Sequence, residues 1–153
     1  VQAAIGRTQL KKLPQWLEQR RANAEVLHQR LSAIRGLRVP EPPSEAGHVY
    51  YKFYAYLRPD TLQYGWDQDA VVDAINSLGV RCFHGGCSEI YREKAFIGTG
   101  YAPRQRLPVA RELGETSLMF QVDHTLVEDD MHRLADAVER VMSEAAALNV
   151  MAG

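Results

Sequence analysis

Apolar residues recur at spacings of three and four through Leu10, Leu13, Trp16, Leu17, Ala24, Leu27, Leu31 and Ile34, which predicts a long amphipathic helix from Val1 to about Ile34. Pro14 removes a backbone donor and disfavours helical geometry at Leu13, so a kink or a break between two helices is expected there. Gly36 supplies the stop. Such a helix carries more apolar surface than a small sheet can cover, and it reads as a connector to a further part of the protein. Leu37 to Pro40 is a short strand, followed by the proline- and glycine-rich loop EPPSEAG. Alternation from Val49 to Leu57 predicts a strand with Val49, Tyr51, Phe53, Ala55 and Leu57 on one face and Tyr50, Lys52, Tyr54 and Tyr56 on the other. The second face is amphipathic. It reads either as a half-wet structural surface or as one on which Tyr50 or Lys52 meets a ligand.

Farther along, Asp67 is placed to cap a helix carrying Val71, Val72, Ile75 and Leu78 on one side, with Gly79 ending it. A strand over Val80 to Phe83 leads into the stretch Val80 to Phe96, in which Ser88 is a candidate cap for a helix from Glu89 to Phe96. The segment IGTGYAP reads as an irregular loop, Pro108 to Leu113 as a short helix, and Ser117 to Val122 as a strand. Thr125 and Glu128 match a capping box for a last helix whose stripe, Met131, Leu134, Ala135, Val138, Val141 and Met142, runs to near Leu148. The order helix, strand, strand, helix, strand, helix, strand, helix predicts an α+β fold, a small sheet with helices packed on it.

Composition changes this picture little. The 153 residues are enough for one domain with its own core, and the apolar and charged fractions of 46% and 24% are those of globular proteins. A net charge of -1 lacks the basic excess that binding to phosphate backbones requires, so nucleic acid is not an expected partner. Two cysteines, Cys82 and Cys87, are too few for a disulfide framework, and no apolar run is long enough to span a bilayer, so the cytoplasm is the expected compartment. The chain opens at Val1, already inside an amphipathic pattern, and an upstream portion is expected.

Candidate chemistry concentrates in VRCFHGGCSEIYREKAF. Gly85 and Gly86 can take positive φ and let backbone amides approach a ligand, while a helix starting after Ser88 would attract phosphate or carboxylate, opposed by the charge of Glu89. A tight turn before a capped helix is the structural alternative. Cys82, His84 and Cys87 lack the partners of a four-ligand metal set, and Cys82 reads as a buried inert thiol. His124 beside Asp123 reads as a loop or capping residue, His28 and His132 as surface or boundary residues on helices, and His48 stays open. No nucleophile elbow, Walker loop, HExxH helix or GxGxxG fingerprint occurs, and Lys11, Lys12, Lys52 and Lys94 show no signature of a cofactor-bearing Schiff base, so no catalytic residue and no metal ligand is assigned.

VQAAIGRTQLKKL, the tyrosine-rich HVYYKFYAYL, LGVRCFHGGCSEIY, LPVARELGETSLMF and HTLVEDDM, in that order, resemble the C-terminal part of DegT-type sugar aminotransferases over essentially the whole chain. The resemblance implies a pyridoxal-phosphate (PLP) enzyme of aminotransferase fold type I, usually a homodimer, that moves an amino group from glutamate or glutamine to a keto-sugar nucleotide. It implies that residues 1–35 are a connecting helix and 36–153 the small C-terminal domain. The large domain with the aldimine lysine would lie upstream, so this piece alone would hold no PLP and lack activity. His84 matches by position an HYxPLH-like loop whose other residues differ here, and His84, Gly85, Gly86, Ser88 and Tyr50 are the expected substrate-binding residues. The alternative from the residues alone is a non-enzymatic module that binds a small anionic ligand or serves dimerisation.

Overall fold

A computed structural model describes residues 1–146. Its elements are α1 (Gln2–Ser32), β1 (Leu37–Arg38), β2 (Phe53–Leu57), α2 (Gln68–Ser77), β3 (Cys82–His84), α3 (Pro108–Thr116), β4 (Ser117–Phe120) and α4 (Glu128–Ala145). The four strands form one antiparallel sheet in the order β1-β2-β4-β3. Helices α1, α2 and α4 cover one of its faces, burying Leu27 and Leu31 of α1, Val71 and Ile75 of α2 and Met131, Val138 and Met142 of α4 with Phe53, Ala55, Leu118, Phe120 and Cys82 of the sheet. This is the expected α+β arrangement.

The first helix runs through Pro14 without a break, contrary to expectation. Pro14 lies in a stretch that is exposed from Val1 to Gln15, so water satisfies the carbonyl that loses its intrahelical partner and the interruption costs less than in a buried helix. Packing of α1 begins at Trp16, and its buried residues are Asn23, Ala24, Leu27 and Leu31. Asn23 is buried, and its amide donates to the carbonyls of Asp123 and Leu126 at 3.1 and 3.0 Å while its oxygen accepts from Gln19 Nε2 at 3.0 Å. This polar clasp pins α1 to the loop before α4, and Trp16 stacks on His124 beside it with ring centroids 4.4 Å apart. Gly36 turns the chain with φ +91°, close against Thr61 and Met142.

The tyrosine strand is shorter than its alternation predicts. Tyr50 adopts φ 45°, a conformation that breaks an extended run, and pairing begins only at Phe53. Phe53, Ala55 and Leu57 are buried as expected, whereas Val49 and Tyr51 are exposed. Asp67 caps α2, its Oδ1 accepting from the Ala70 amide at 2.9 Å, and Gly79 follows with φ +82°. Leu78, expected on the buried stripe, lies beyond the last helical residue and is exposed. The next strand starts at Cys82 rather than Val80, held by a two-way bond in which Asn76 Nδ2 donates to the Cys82 carbonyl (2.9 Å) and Oδ1 accepts from the Cys82 amide (3.0 Å).

Two end signals differ from expectation. No α-helix forms over Glu89 to Phe96; two single 3₁₀ turns, Ile90–Arg92 and Lys94–Phe96, stand there, and Ser88 makes no capping bond. The Glu89 carboxylate is drawn instead to Arg106, as described below. The capping box at Thr125 and Glu128 is also displaced: Thr125 donates its hydroxyl to Asp123, and the first helical turn of α4 is closed by Asp130, whose Oδ2 accepts from the Val127 amide at 2.9 Å. The α4 stripe is as predicted through Met142, and Leu148 lies outside the described residues.

Candidate functional site

With α1, α2 and α4 all on one side, the sheet leaves the Tyr54–Tyr56 part of its other face open. Strand register puts Tyr54, Met119 and Phe83 in one row across this face, with Tyr56 opposite Ser117 in the next row. Tyr54 and Tyr56 are i and i+2 on one strand, so their rings stand side by side, nearly parallel at 18°, with centroids 6.4 Å apart. The guanidinium of Arg38, across from Tyr56 on β1, lies 4.4 Å from the Tyr56 ring centroid. Beyond the strand start, Lys52 holds its amine 5.4 Å from the ring centroid of Tyr51. Tyr50 stacks on Phe53 and meets His48 edge to face. Burial, first, and the charges of Glu25 and Glu41 raise its phenol above the ordinary tyrosine value.

His48, Tyr50, Tyr51, Lys52 and Phe53 line a groove of about 620 Å³, walled by Pro40, Glu41, Pro42 and Pro43 and floored by Tyr54, Tyr56 and Met119, with Arg38 and Phe83 outside its lining. A larger hollow of about 690 Å³ lies between the start of α2 and α3, but most of its polar side chains are already engaged. Asp67 caps α2, Asp69 meets His84, Gln68 donates to the Ser117 carbonyl at 2.6 Å, and Arg106 and Arg111 are paired with Glu115. In the groove, by contrast, the phenol oxygens of Tyr50, Tyr51, Tyr54 and Tyr56 make no hydrogen bond to the described residues and are free to bind a polar ligand. That difference makes the open face the better candidate.

The five residues expected at the site do not all meet here. The Gly85 amide donates to Ser117 Oγ at 3.1 Å, and a Cβ on Gly85 would lie 3.3 Å from Tyr54 Cε1. Gly86 lies at the Tyr54 hydroxyl, 3.9 Å from where its own Cβ would be. The glycine turn thus folds against the edge of the groove, and Tyr50 lies at its other end. Neither glycine has positive φ; the need at Gly85 is for close approach. His84 is two residues from buried Cys82 and shares its side of β3, away from the groove, where Nε2 lies 2.7 Å from Asp69 Oδ1. Ser88 packs onto Gly114 of α3, where a Cβ would come within 2.3 Å of its hydroxyl. Tyr54 and Tyr56 are not among the expected site residues, although the alternation that buries Phe53 and Ala55 already places them on the opposite face.

Behind the turn, Glu89 ties the loop to α3. Its carboxylate accepts from Arg106, with Nε at 2.9 and 3.2 Å, from Tyr91 at 2.6 Å and from Arg92 at 3.3 Å; Arg106 also reaches Glu115. Arg106, the largest influence, holds the Glu89 carboxyl down from 4.5 to about 2. Since the pKa falls on folding, the unfolded chain takes up a proton below about 4.5 that the folded chain refuses, and the stability this pairing adds is complete above that pH and gone once pH drops through about 2. Acid titration followed by circular dichroism should therefore be less steep between these values in Glu89→Gln than in the parent; superimposable curves would refute the linkage.

The cysteines are chemically quiet. Burial pushes the Cys82 thiol up to about 12, and the hydrogen bond from Cys87 Sγ to Glu93 Oε1, 3.2 Å long, raises the exposed Cys87. A disulfide reagent at pH 8 should modify Cys87 slowly and Cys82 only at the rate of global unfolding, counted by intact mass. No group of three or more potential metal ligands occurs among the described residues. The described residues do not fit PLP either. Lys11, Lys12 and Lys94 are exposed and Lys52 sits over the exposed Tyr51 ring, so no lysine amine is sunk among groups that would desolvate it.

The sequence profile of the DegT/DnrJ/EryC1/StrS aminotransferase family matches residues 1–139. The chain belongs to this family. Among solved structures, the DegT/DnrJ/EryC1/StrS chain is similar to the aminotransferase from Psychrobacter cryohalolentis, with 44% identity and a TM-score of 0.86 over 94% of this chain and 38% of that one. It is similar to the aminotransferase TlmJ from Streptoalloteichus hindustanus at 25% identity and TM-score 0.79, covering 93% of this chain and 36% of that one. It shares the fold of S. venezuelae DesV, crystallised in complex with a ketimine intermediate, at 21% identity and TM-score 0.79 over 92% and 36% of the two chains. The family chain described here thus spans little more than a third of the length of these relatives. No curated protein sequence matches it. No described helix is long and apolar enough to cross a membrane.

Proposed function

We propose that this chain is the C-terminal small domain of a PLP-dependent aminotransferase acting on a keto-sugar nucleotide, and that the open sheet face forms one wall of its substrate cleft. The observation that carries the reading is the family match over residues 1–139 together with coverage of only 38% of a 44% identical aminotransferase. PLP would supply the electron sink; the task of this domain is binding and orientation. Tyrosine rings offer apolar faces to a sugar or a base, their free hydroxyls offer hydrogen bonds, and Arg38 and Lys52 offer charge to a diphosphate. On this reading residues 1–35 connect the two domains, Ile5, Leu10 and Leu13 are covered by the large domain, the working enzyme is a cytoplasmic homodimer, and glutamate or glutamine is the donor.

The test is made on the full-length protein. It should bind PLP, and glutamate or glutamine should convert the visible absorbance of the bound cofactor in a half-reaction that a keto-sugar nucleotide reverses. The 153-residue chain alone should do neither. A full-length protein that takes up no PLP, or a bound cofactor indifferent to both donors, would overturn the proposal.

A further inference from the structure

We infer that Arg20 and Arg21 of α1 are positioning residues for the groove: their bonds to the chain between His48 and Tyr51 hold a kink at Tyr50 that presents Tyr51 and Lys52 to the ligand. This rests on the cleft wall proposed above and gives the connecting helix a part in substrate binding. Arg20 Nη1 donates to the carbonyls of Tyr50 and Tyr51, each at 3.4 Å, and Arg21 Nε donates to that of His48 at 3.2 Å. Among the described residues these three carbonyls accept from no other donor, because the segment precedes the first ladder pair at Phe53. Strand alternation would put Tyr50 and Phe53 on opposite faces. The left-handed φ of 45° at Tyr50 brings its ring against buried Phe53 instead, with centroids 6.2 Å apart. A tyrosine keeps such a conformation only where its surroundings over-determine it, and residues of this kind gather at binding sites. The two guanidiniums on one side and the Phe53 stack on the other are those surroundings.

The kink decides what the groove receives. With the Tyr50 ring turned to the core, Tyr51 and Lys52 are the pair left at this end of the groove. Tyr51 is 75% exposed, and the Lys52 amine lies 5.4 Å from its ring centroid. Lys52 forms no ion pair among the described residues, so its charge is available to an anionic ligand. The Arg20 guanidinium lies 6.0 Å from the same Tyr51 centroid. Helix α1 is itself fixed at this level. Trp16 stacks on His124 one turn before the arginines, and Asn23 is clasped to the loop before α4 less than a turn after them. Arg20 and Arg21 therefore reach the segment from a stationary base.

The test uses the full-length protein, with the donor half-reaction (glutamate or glutamine) and the acceptor half-reaction measured separately. The acceptors are 4-ketohexoses linked to thymidine, uridine or guanosine diphosphate. Arg20→Ala combined with Arg21→Ala should raise the acceptor concentration giving half the limiting rate by roughly 10-fold, which one charge-assisted hydrogen bond supports. The limiting rate and the donor half-reaction should keep the parent's values. In a background of Tyr51→Ala and Lys52→Ala the same two changes should cost little more, because the groups they position are gone. A direct effect of arginine charge on the substrate would instead add in full. Hydrogen exchange at the Tyr51 and Lys52 amides should quicken in the arginine variant, and thermal melts check its fold. The inference is overturned if acceptor half-saturation or that exchange does not move, if both half-reactions fall together as a loss of fold would make them, or if the two pairs of losses add in full. A parent that completes the donor half-reaction but takes none of the acceptors overturns it through the substrate class. A parent that fails the donor half-reaction overturns the aminotransferase reading itself.

Discussion

Phe120→Ala is expected to remove about 3–5 kcal/mol of stability, the usual cost of truncating a buried phenylalanine. Phe120 is fully buried, on the central strand β4, and pairs with Phe53 on one side and Cys82 on the other. Alanine would leave a void between two strands and the helices above them, and surroundings this rigid collapse only in part. Total stabilities of domains run at about 5–15 kcal/mol, so a large share of the folded margin goes with one side chain. Urea denaturation followed by circular dichroism reads the loss. Phe83→Ala serves as the control, since Phe83 is 37% exposed on the open face one row away. Equal losses in the two variants would mean that the core has been placed on the wrong side of the sheet.

Gly85→Ala should be the most damaging change at the groove. Its new Cβ would lie 2.1 Å from Ser117 Oγ and 2.8 Å from Ser117 Cβ, and Ser117 is itself buried in the start of β4. The turn must lift away, breaking the bond from the Gly85 amide to Ser117, at about 1–3 kcal/mol for an overpacked site. Ser117→Gly in the same chain removes both clashing atoms, so the double variant should recover part of the loss, giving a non-zero coupling in a mutant cycle. Gly86→Ala, whose Cβ would meet only the Tyr54 hydroxyl at 3.9 Å, should cost little. Additive losses from Gly85→Ala and Ser117→Gly would refute the close approach.

Much of this architecture is legible in local patterns, because several signals act alone. Asp67 caps α2 whatever packs around it, Gly79 takes the left-handed turn, and the stripe of α4 is long enough to survive any neighbour. The failures are places where a distant group outcompetes a local one. Glu89 bonds to Arg106 in preference to opening a helix behind Ser88, and Asp123 captures the Thr125 hydroxyl that was expected to cap α4. Tyr50 breaks an alternation that reads as continuous, since hydropathy carries no record of one positive φ.

At the site, spacing alone could have removed His84, which has the parity of buried Cys82, and promoted Tyr54 and Tyr56, which oppose buried Phe53 and Ala55. Ser88 was out of reach of such reasoning, because its neighbour Gly114 belongs to a separate helix. Gly85 is expected at the site for its conformational freedom and is needed there for proximity, a distinction that only the position of Ser117 can make.

The strand order β1-β2-β4-β3 also governs how the chain acquires this fold. Of its three pairings only β2 with β4 joins strands that are not consecutive in sequence; β4, the last strand, lies between β2 and β3 and bonds to both. Until Ser117–Phe120 arrives, β3 has no partner and β2 has an unpaired edge. Closing those long loops is an entropic cost met before any sheet contact repays it, which slows the search. On a ribosome the domain would stay open, with the apolar sides of β2 and α2 uncovered, until its final quarter is synthesised.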